Sequence, residues 1–348
     1  MKQQSALQMQ HYYGFDYLRS IMALAVVAWH IRLFGISSIS DRNEYLFHRI
    51  TLSDIINFHF FLLAVPVFTL ISLFLFSLKA KQAGYFVSRL EYLVYLYLFW
   101  CGLWILVRSA LTDFCFLHEN PVNIFSNIVT GWNSLYYYIF SLILMTILSF
   151  FSIKLNYYSL FIWLCVSLFA IGIFPLFVNK ENSCQYLVAY WNPLNFLPYV
   201  FVAAIVGKKI EECTFNPFSF EFGICILSVI VLFFIFSVYE WNYLVNINNF
   251  QFDGYAIPSY TRISVVAGTT AVFLLSFAIQ SPPPRCIRLL SDYSLGIYCI
   301  HGYIILIYQK LIAPENLCWH KLVEYIFVII VSLFLSIVLR RAFRKGMI

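Results

Sequence analysis

Two residues in the first apolar run carry side chains that hydrocarbon does not tolerate without reason. Arg19 and His30 lie in Phe15-Asp16-Tyr17-Leu18-Arg19-Ser20-Ile21-Met22-Ala23-Leu24-Ala25-Val26-Val27-Ala28-Trp29-His30. A charged group at membrane depth costs several kcal/mol unless it faces a cavity or a partner, so each one is a functional lead. The two are eleven residues apart. At about 3.6 residues per turn that is close to three turns, so a helix presents them on one face. At about 1.5 Å per residue they are ~16 Å apart along the axis, too far for an ion pair. They are placed to line one groove, with Ala23 and Val26 between them. A histidine near mid-membrane suits general-base chemistry because its pKa lies near neutrality. The plainer alternative has Arg19 snorkelling to the headgroups and His30 satisfied inside a bundle. Spacing alone weighs these two readings evenly.

A second polar stripe lies near the C-terminus in Ser291-Asp292-Tyr293-Ser294-Leu295-Gly296-Ile297-Tyr298-Cys299-Ile300-His301. Ser294, Tyr298 and His301 fall at helical spacing, which points one polar face into the bundle. His59, two residues after Asn57, reads better as a structural histidine. HExxH, Walker, GxGxxG and GxSxG patterns are absent, and no His/Cys/carboxylate group has metal-ligand spacing. No metal site is therefore expected.

The elements that must position these side chains follow from composition. Of 348 residues, 62% are apolar and 11% are charged, against ~25% charged in an ordinary soluble domain. Mean hydropathy is +0.81. These values exclude a soluble enzyme, a disordered chain and a disulfide scaffold. They describe an all-α, polytopic helical membrane protein, one integral-membrane domain over residues 1–348. Apolar runs at 14–36, 55–78, 89–109, 133–152, 156–176, 191–207, 219–239, 260–280, 292–309 and 322–339 predict ten transmembrane helices.

Charge orients them. With the N-terminus cytoplasmic, thirteen basic residues fall inside, among them Lys79, Lys81, Arg89, Lys208, Lys209, Arg285, Arg288, Arg340, Arg341, Arg344 and Lys345, and eight fall outside, including Arg262. The outer loops carry Asp41, Glu44, Asp113, Glu119, Glu181, Asp253 and Glu315. The positive-inside rule then puts both termini in the cytoplasm. The net charge of +6 thus reads as topology, and no nucleic-acid surface is expected. The first run is too long for a signal peptide and reads as an uncleaved helix. The longer outer loops are placed at Ser37–Asp54, Thr112–Trp132 and Glu240–Ser259, and Pro282-Pro283-Pro284 breaks the chain before the ninth span. Many of the 25 Tyr and 8 Trp sit near span ends, where interfaces favour them. Trp132, Trp191 and Trp241 are accordingly not read as ligand cages. Nine cysteines include no CxxC. Cys115, Cys184 and Cys318 all fall on the outer side, where oxidation is open to one pair, and sequence alone does not pair them.

Five segments, in order, resemble the acyltransferase-3 family of integral-membrane acyltransferases that O-acylate envelope sugars and polysaccharides. Asp16-x-Leu18-Arg19 followed by His30 resembles the family's Arg-x10-His motif. Pro66-Val67-Phe68 leading to Ser72 is similar to its Pro-Val-Phe-x-x-x-Ser segment, with Leu73 where glycine is usual. Trp132-x-x-Leu135-Tyr136-Tyr137 resembles its aromatic motif. Phe196-Leu197-Pro198-Tyr199-x-Phe201, running on to Gly207, resembles its proline-aromatic motif. Tyr293-Ser294-Leu295-Gly296-Ile297-Tyr298-x-x-His301 is similar to its Ser-x-Gly-x-Tyr-x-x-His segment. One departure stands out: the second arginine that often follows three residues after the one opening the third span is Tyr92, three after Arg89.

The resemblance implies O-acyl transfer, most simply O-acetyl transfer, from acyl-CoA as co-substrate and with no bound cofactor. His30 is the implied general base, and Arg19 the group that orients the donor or the developing oxyanion. Lys79, Lys81 and Arg89 are the expected donor-phosphate ligands, with positive-inside anchoring the plainer reading of the lysines. Asp16, Ser294, Tyr298 and His301 are expected to line the groove. The partners implied are the bilayer, acyl-CoA and a carbohydrate or lipid-linked glycan acceptor, and the location a cell membrane, the bacterial inner membrane being expected. The rival reading is a transporter or flippase of a lipid-linked glycan. A glycan polymerase or ligase is a more distant one.

Overall fold

In hydrocarbon every backbone N–H and C=O must find its partner within the chain, and a helix provides one locally. The computed structural model describes residues 11–35, 51–111, 126–131, 134–178, 183–247, 257–311 and 318–342. Among these residues there are helices and no strands. The α-helices are α1 (Tyr13–His30), α2 (Leu52–His59), α3 (Ala64–Lys79), α4 (Tyr85–Leu111), α5 (Tyr137–Ser152) and α6 (Tyr157–Ile173). They continue with α7 (Leu197–Glu211), α8 (Phe220–Ile247), α9 (Ile263–Ser276), α10 (Arg285–Asp292), α11 (Ser294–Leu311) and α12 (Cys318–Ala342). Among the described residues, six helical stretches are long and apolar enough to cross a bilayer. A seventh is added if α10 and α11, which meet at a 70° bend, form one span. The helix α8 exposes Ile224, Leu227, Val231, Phe234, Ile235 and Val238. An apolar surface of that extent is the face of a protein solvated by lipid.

Breaks occur where the sequence supplies the means. The span expected over 55–78 is divided: α2 opens on a capping box between Thr51 and Asp54, and a short 3-10 turn, Phe61–Leu63, separates it from α3. Pro66 lies in the first turn of α3, and Pro198 in the first turn of α7. There the missing N–H would have had no partner in any case. The first span ends at His30, short of the expected residue 36. Arg32 takes the left-handed conformation (φ 53°). Leu33 N–H donates to Ala28 O (3.0 Å) and Arg32 N–H to Trp29 O (3.1 Å), the pair of bonds that closes a Schellman motif.

Two further boundaries correct the sequence reading. Glu240, expected to open a loop, lies inside α8, which continues to Ile247. Its carboxylate is buried against Ser264 and Arg262, and that pairing lets the helix carry it inward. The stretch after Pro282-Pro283-Pro284 forms α10, an amphipathic helix that the apolar runs do not reveal. The acidic residues Asp41, Glu44, Asp113, Glu119, Glu181, Asp253 and Glu315, and Trp132, lie outside the described residues. So do Cys115 and the side chains of Cys184 and Cys318.

The helix α1 is at the centre and packs on α3, α9, α10, α11 and α12. Small residues permit this. Ala23, Ala25 and Ala28 are buried, and an added Cβ at Gly14 would stand 1.8 Å from Ser276 O at the end of α9. Gly207 has the same role for α7, where a Cβ would meet Ser77 Oγ of α3 at 2.4 Å.

Candidate active site

Arg19 and His30 open into two cavities that share a wall. The first, about 430 Å³, is lined by Arg19 from α1, Ser72 and Lys79 from α3, Arg89 from α4, Tyr138 from α5, and Asp292, Ser294 and Tyr298 around the α10–α11 bend. The second, about 390 Å³, contains His30 and Trp29 from α1, with Trp104, Ser134, Tyr137, Tyr190, Tyr260 and Gln309. The wall runs between Tyr298, which lines the first cavity, and Leu135, which lines the second; the Tyr298 hydroxyl donates to Leu135 O. The continuous groove expected from the Arg19–His30 spacing is thus divided. Ala23 and Val26, expected along it, are 0% and 2% exposed and consumed in packing.

The Arg19 cavity is cationic. Arg19, Lys79 and Arg89 face a single acid, Asp292, among the lining residues. Arg89 Nη2 donates to Ser72 Oγ (2.8 Å), so the serine of the Pro66 segment aims the arginine that opens α4. The guanidinium lies 5.7 Å from the Tyr92 ring centroid, so Tyr92 supports Arg89 from the position where a second arginine was missed. Lys81 is not brought into this cavity. It is 65% exposed and pairs with Glu211 at 2.6 Å. Asp16 does not line the cavity either. It accepts from Ser291 Oγ (2.9 Å) and bonds His11 Nε2 (2.6 Å). Ser20 Oγ, also on α1, lies 2.6 Å from Ile287 O on α10. These contacts fasten α1 to α10 and so set the height of Arg19.

The His30 cavity is aromatic with scattered polar groups. His30 is the last residue of α1 and is exposed to this cavity. It makes no hydrogen bond among the described residues. Its ring centroid is 5.1 Å from that of His301. Three tyrosines hold α11, and with it His301, in register: Tyr136 donates to Cys299 O (2.6 Å), Tyr303 to Trp100 O (2.8 Å) and Tyr298 to Leu135 O. The aromatic motif at 135–137 and the C-terminal motif at 293–301 are therefore one structural unit. The Trp104 indole nitrogen, buried at this cavity, has no partner among the described residues.

Sequence reasoning did not single out Trp104, Ser134, Tyr190, Ser259, Tyr260 or Gln309. Apart from the adjacent Ser259 and Tyr260 they come from separate parts of the chain and follow no shared spacing. His59 is structural, as expected: its Nε2 accepts from Trp241 Nε1 (2.6 Å) and its Nδ1 meets Ser237 Oγ (3.3 Å). Arg262, counted in the sequence as an outer charge, is 1% exposed, donates to Phe58 O and pairs with Glu240 at 3.9 Å. Among the described residues no group of three or more His, Cys, Asp or Glu could hold a metal ion.

No curated protein and no solved structure is significantly similar to the chain. The chain matches the acyltransferase domain family over residues 12–341, nearly its whole length, and the match takes in all five segments; residues of four of them line one cavity or the other, and the proline-aromatic segment at 196–201 lines neither. It belongs to the acyltransferase-3 family and is a membrane acyltransferase.

Proposed function

We propose that the protein transfers an acyl group, acetyl in the simplest case, from acyl-CoA to a hydroxyl of a cell-envelope sugar or polysaccharide. One observation carries this reading: a cationic cavity and a histidine-bearing aromatic cavity stand on opposite sides of a thin wall. The Arg19 cavity suits the donor, whose phosphates call for the charge-assisted bonds that Arg89, Arg19 and Lys79 supply. Lys81, paired with Glu211, has no part in it. The His30 cavity suits a sugar. Trp29, Trp104, Tyr137, Tyr190 and Tyr260 offer apolar ring faces, and Ser134 and Gln309 offer hydrogen bonds.

In this reading the thioester end of the donor reaches His30 past Tyr298. The acceptor oxygen attacks the carbonyl carbon while His30 takes its proton, help worth ~10²–10⁴-fold in rate. Arg19 holds the donor and its charge. The C–S bond then breaks, the thiolate recovers the proton from His30, and ester and CoA thiol leave. With both termini in the cytoplasm, as the positive-inside balance expects, the Arg19 cavity lies on the side where acyl-CoA is made. The bacterial inner membrane is the membrane this topology suits.

The test is the alkali-labile ester content of envelope glycans. Cells with the intact protein, without it, and with His30→Ala at matched membrane abundance are compared. Ester found only with the intact protein supports acyl transfer through His30. Equal ester in all three, with glycan export lost in the deletion, supports the transporter reading instead.

A further inference from the structure

Beside His30 lies a second imidazole whose tautomer is fixed. His301 is fully buried, at 0% exposure. Its Nδ1 is 3.1 Å from Ile297 O, one turn back on α11. A carbonyl oxygen only accepts, so in the neutral ring Nδ1 carries the proton and Nε2 is a bare lone pair. That Nε2 is buried and has no partner among the described residues. An acceptor left unsatisfied in a protein interior is a cost that asks for an explanation. His30 is the neighbour able to supply a donor. The rings are 5.1 Å apart between centroids and inclined at 45°. Their facing edges are then within about 3 Å, the length of an N–H···N bond, once the His30 ring turns to align. No carboxylate bonds either ring among the described residues.

We propose that His301 is a positioning residue for His30: its Nε2 lone pair accepts the His30 ring N–H, leaves the other His30 nitrogen bare toward the acceptor hydroxyl, and holds the imidazolium formed when that proton is taken. The proposal rests on the acyl-transfer reading above. It gives His301 the part a carboxylate has in a nucleophile–histidine–carboxylate triad, which orients the imidazole and stabilises its charged form without itself being protonated. The proton from the acceptor hydroxyl stays on His30 until the CoA thiolate takes it, so His301 ends the cycle as it began. The structure builds for this arrangement. Tyr136 donates to Cys299 O, two residues before His301, and Tyr298 and Tyr303, on either side of His301 in α11, donate outward to Leu135 O and Trp100 O; the Tyr298 ring stands 5.9 Å from the His301 ring.

The experiment compares purified, reconstituted parent protein with His301→Phe, His301→Gln and His30→Ala, measuring CoA-thiol release and ester formation against acceptor concentration. Phe keeps an aromatic ring against Tyr298 and removes the lone pair. Gln places an amide oxygen where Nε2 was. The expected result is a kcat for His301→Phe about 10- to 100-fold below the parent, the range for a lost hydrogen bond to a charged group. The acceptor KM is unchanged, and His301→Gln recovers most of the loss. His301→Leu repeats the test if the Phe variant fails to accumulate. Parent-level kcat in the apolar variants, equal loss in the apolar and Gln variants, or a loss confined to KM overturns the proposal while His30→Ala stays inactive. Turnover surviving in His30→Ala overturns the general-base reading itself.

Discussion

The Glu240–Arg262 pair offers a test of the packing behind the His30 cavity. Arg262 is two residues from Tyr260 and three from Ser259, both of which line that cavity. Its side chain is 0% exposed, and its Nη1 lies 3.9 Å from Glu240 Oε2. At that distance, with an effective dielectric of about 20, the attraction is about 4 kcal/mol. Ser264 N–H (2.9 Å) and Ser264 Oγ donate to the same carboxylate. Removing Glu240 alone leaves the guanidinium with Phe58 O as its hydrogen-bonded partner and a charge without compensation, a class of change that costs about 3–5 kcal/mol. Glu240→Leu and Arg262→Met are each expected to lose that amount. Together they remove both charges and leave the Ser264 donors and Phe58 O, all neutral groups, without these partners, a cost of about 1–3 kcal/mol. The assay is reversible unfolding in mixed micelles of rising SDS fraction, followed by tryptophan fluorescence, run as a double-mutant cycle. The double variant is expected to be more stable than either single one. A double variant destabilised by the sum of the two singles would refute the argument.

Three other perturbations bear on separate parts of the account. Ser72→Ala frees the Arg89 guanidinium from its 2.8 Å bond and is expected to raise the KM for acyl-CoA roughly 3- to 10-fold with kcat little changed, following the usual worth of such a bond; donor-concentration series measure it. Gly14→Ala drives a methyl group to within 1.8 Å of Ser276 O and is expected to cost about 1–3 kcal/mol as overpacking, read by the same micelle unfolding. Arg32→Gly relieves the left-handed backbone at φ 53° and is expected to stabilise the protein by about 1 kcal/mol with turnover preserved. A destabilised Arg32→Gly protein would mean that the Arg32 side chain makes a contact the Schellman turn does not require.

Much of the site was legible in the sequence because its parts are local. Helical spacing put Arg19 and His30 on one helix, and Ser294, Tyr298 and His301 on another. A charge in an apolar run is conspicuous wherever it stands. The five ordered segments named the family, which the match over residues 12–341 bears out. Spacing says which residues share a face, but it does not say which faces meet. The Ser72–Arg89 bond joins neighbouring helices, and the Tyr298–Leu135 wall and the gathering of Trp104, Tyr190 and Tyr260 around His30 join elements far apart in the chain. Arg262 shows the same limit: a positive charge near a span end is a topology signal until a buried glutamate is found opposite it. Helix ends were hidden for a different reason. The Arg32 turn and the Phe61–Leu63 break involve residues with no intrinsic preference for stopping a helix, so packing decides them. The amphipathic α10 was missed because its arginines make it too polar to register as an apolar run.

The most direct test of the central claim uses purified protein in vesicles with labelled acetyl-CoA and a glycan acceptor. Donor binding, CoA-thiol release and ester formation are followed together. The parent is expected to release one thiol for each ester formed. His30→Ala is expected to bind acetyl-CoA as tightly as the parent, because the donor cavity lies on the other side of the Tyr298–Leu135 wall, and to form no ester above background. Ester formation at the parent rate by a folded, donor-binding His30→Ala protein would contradict the account.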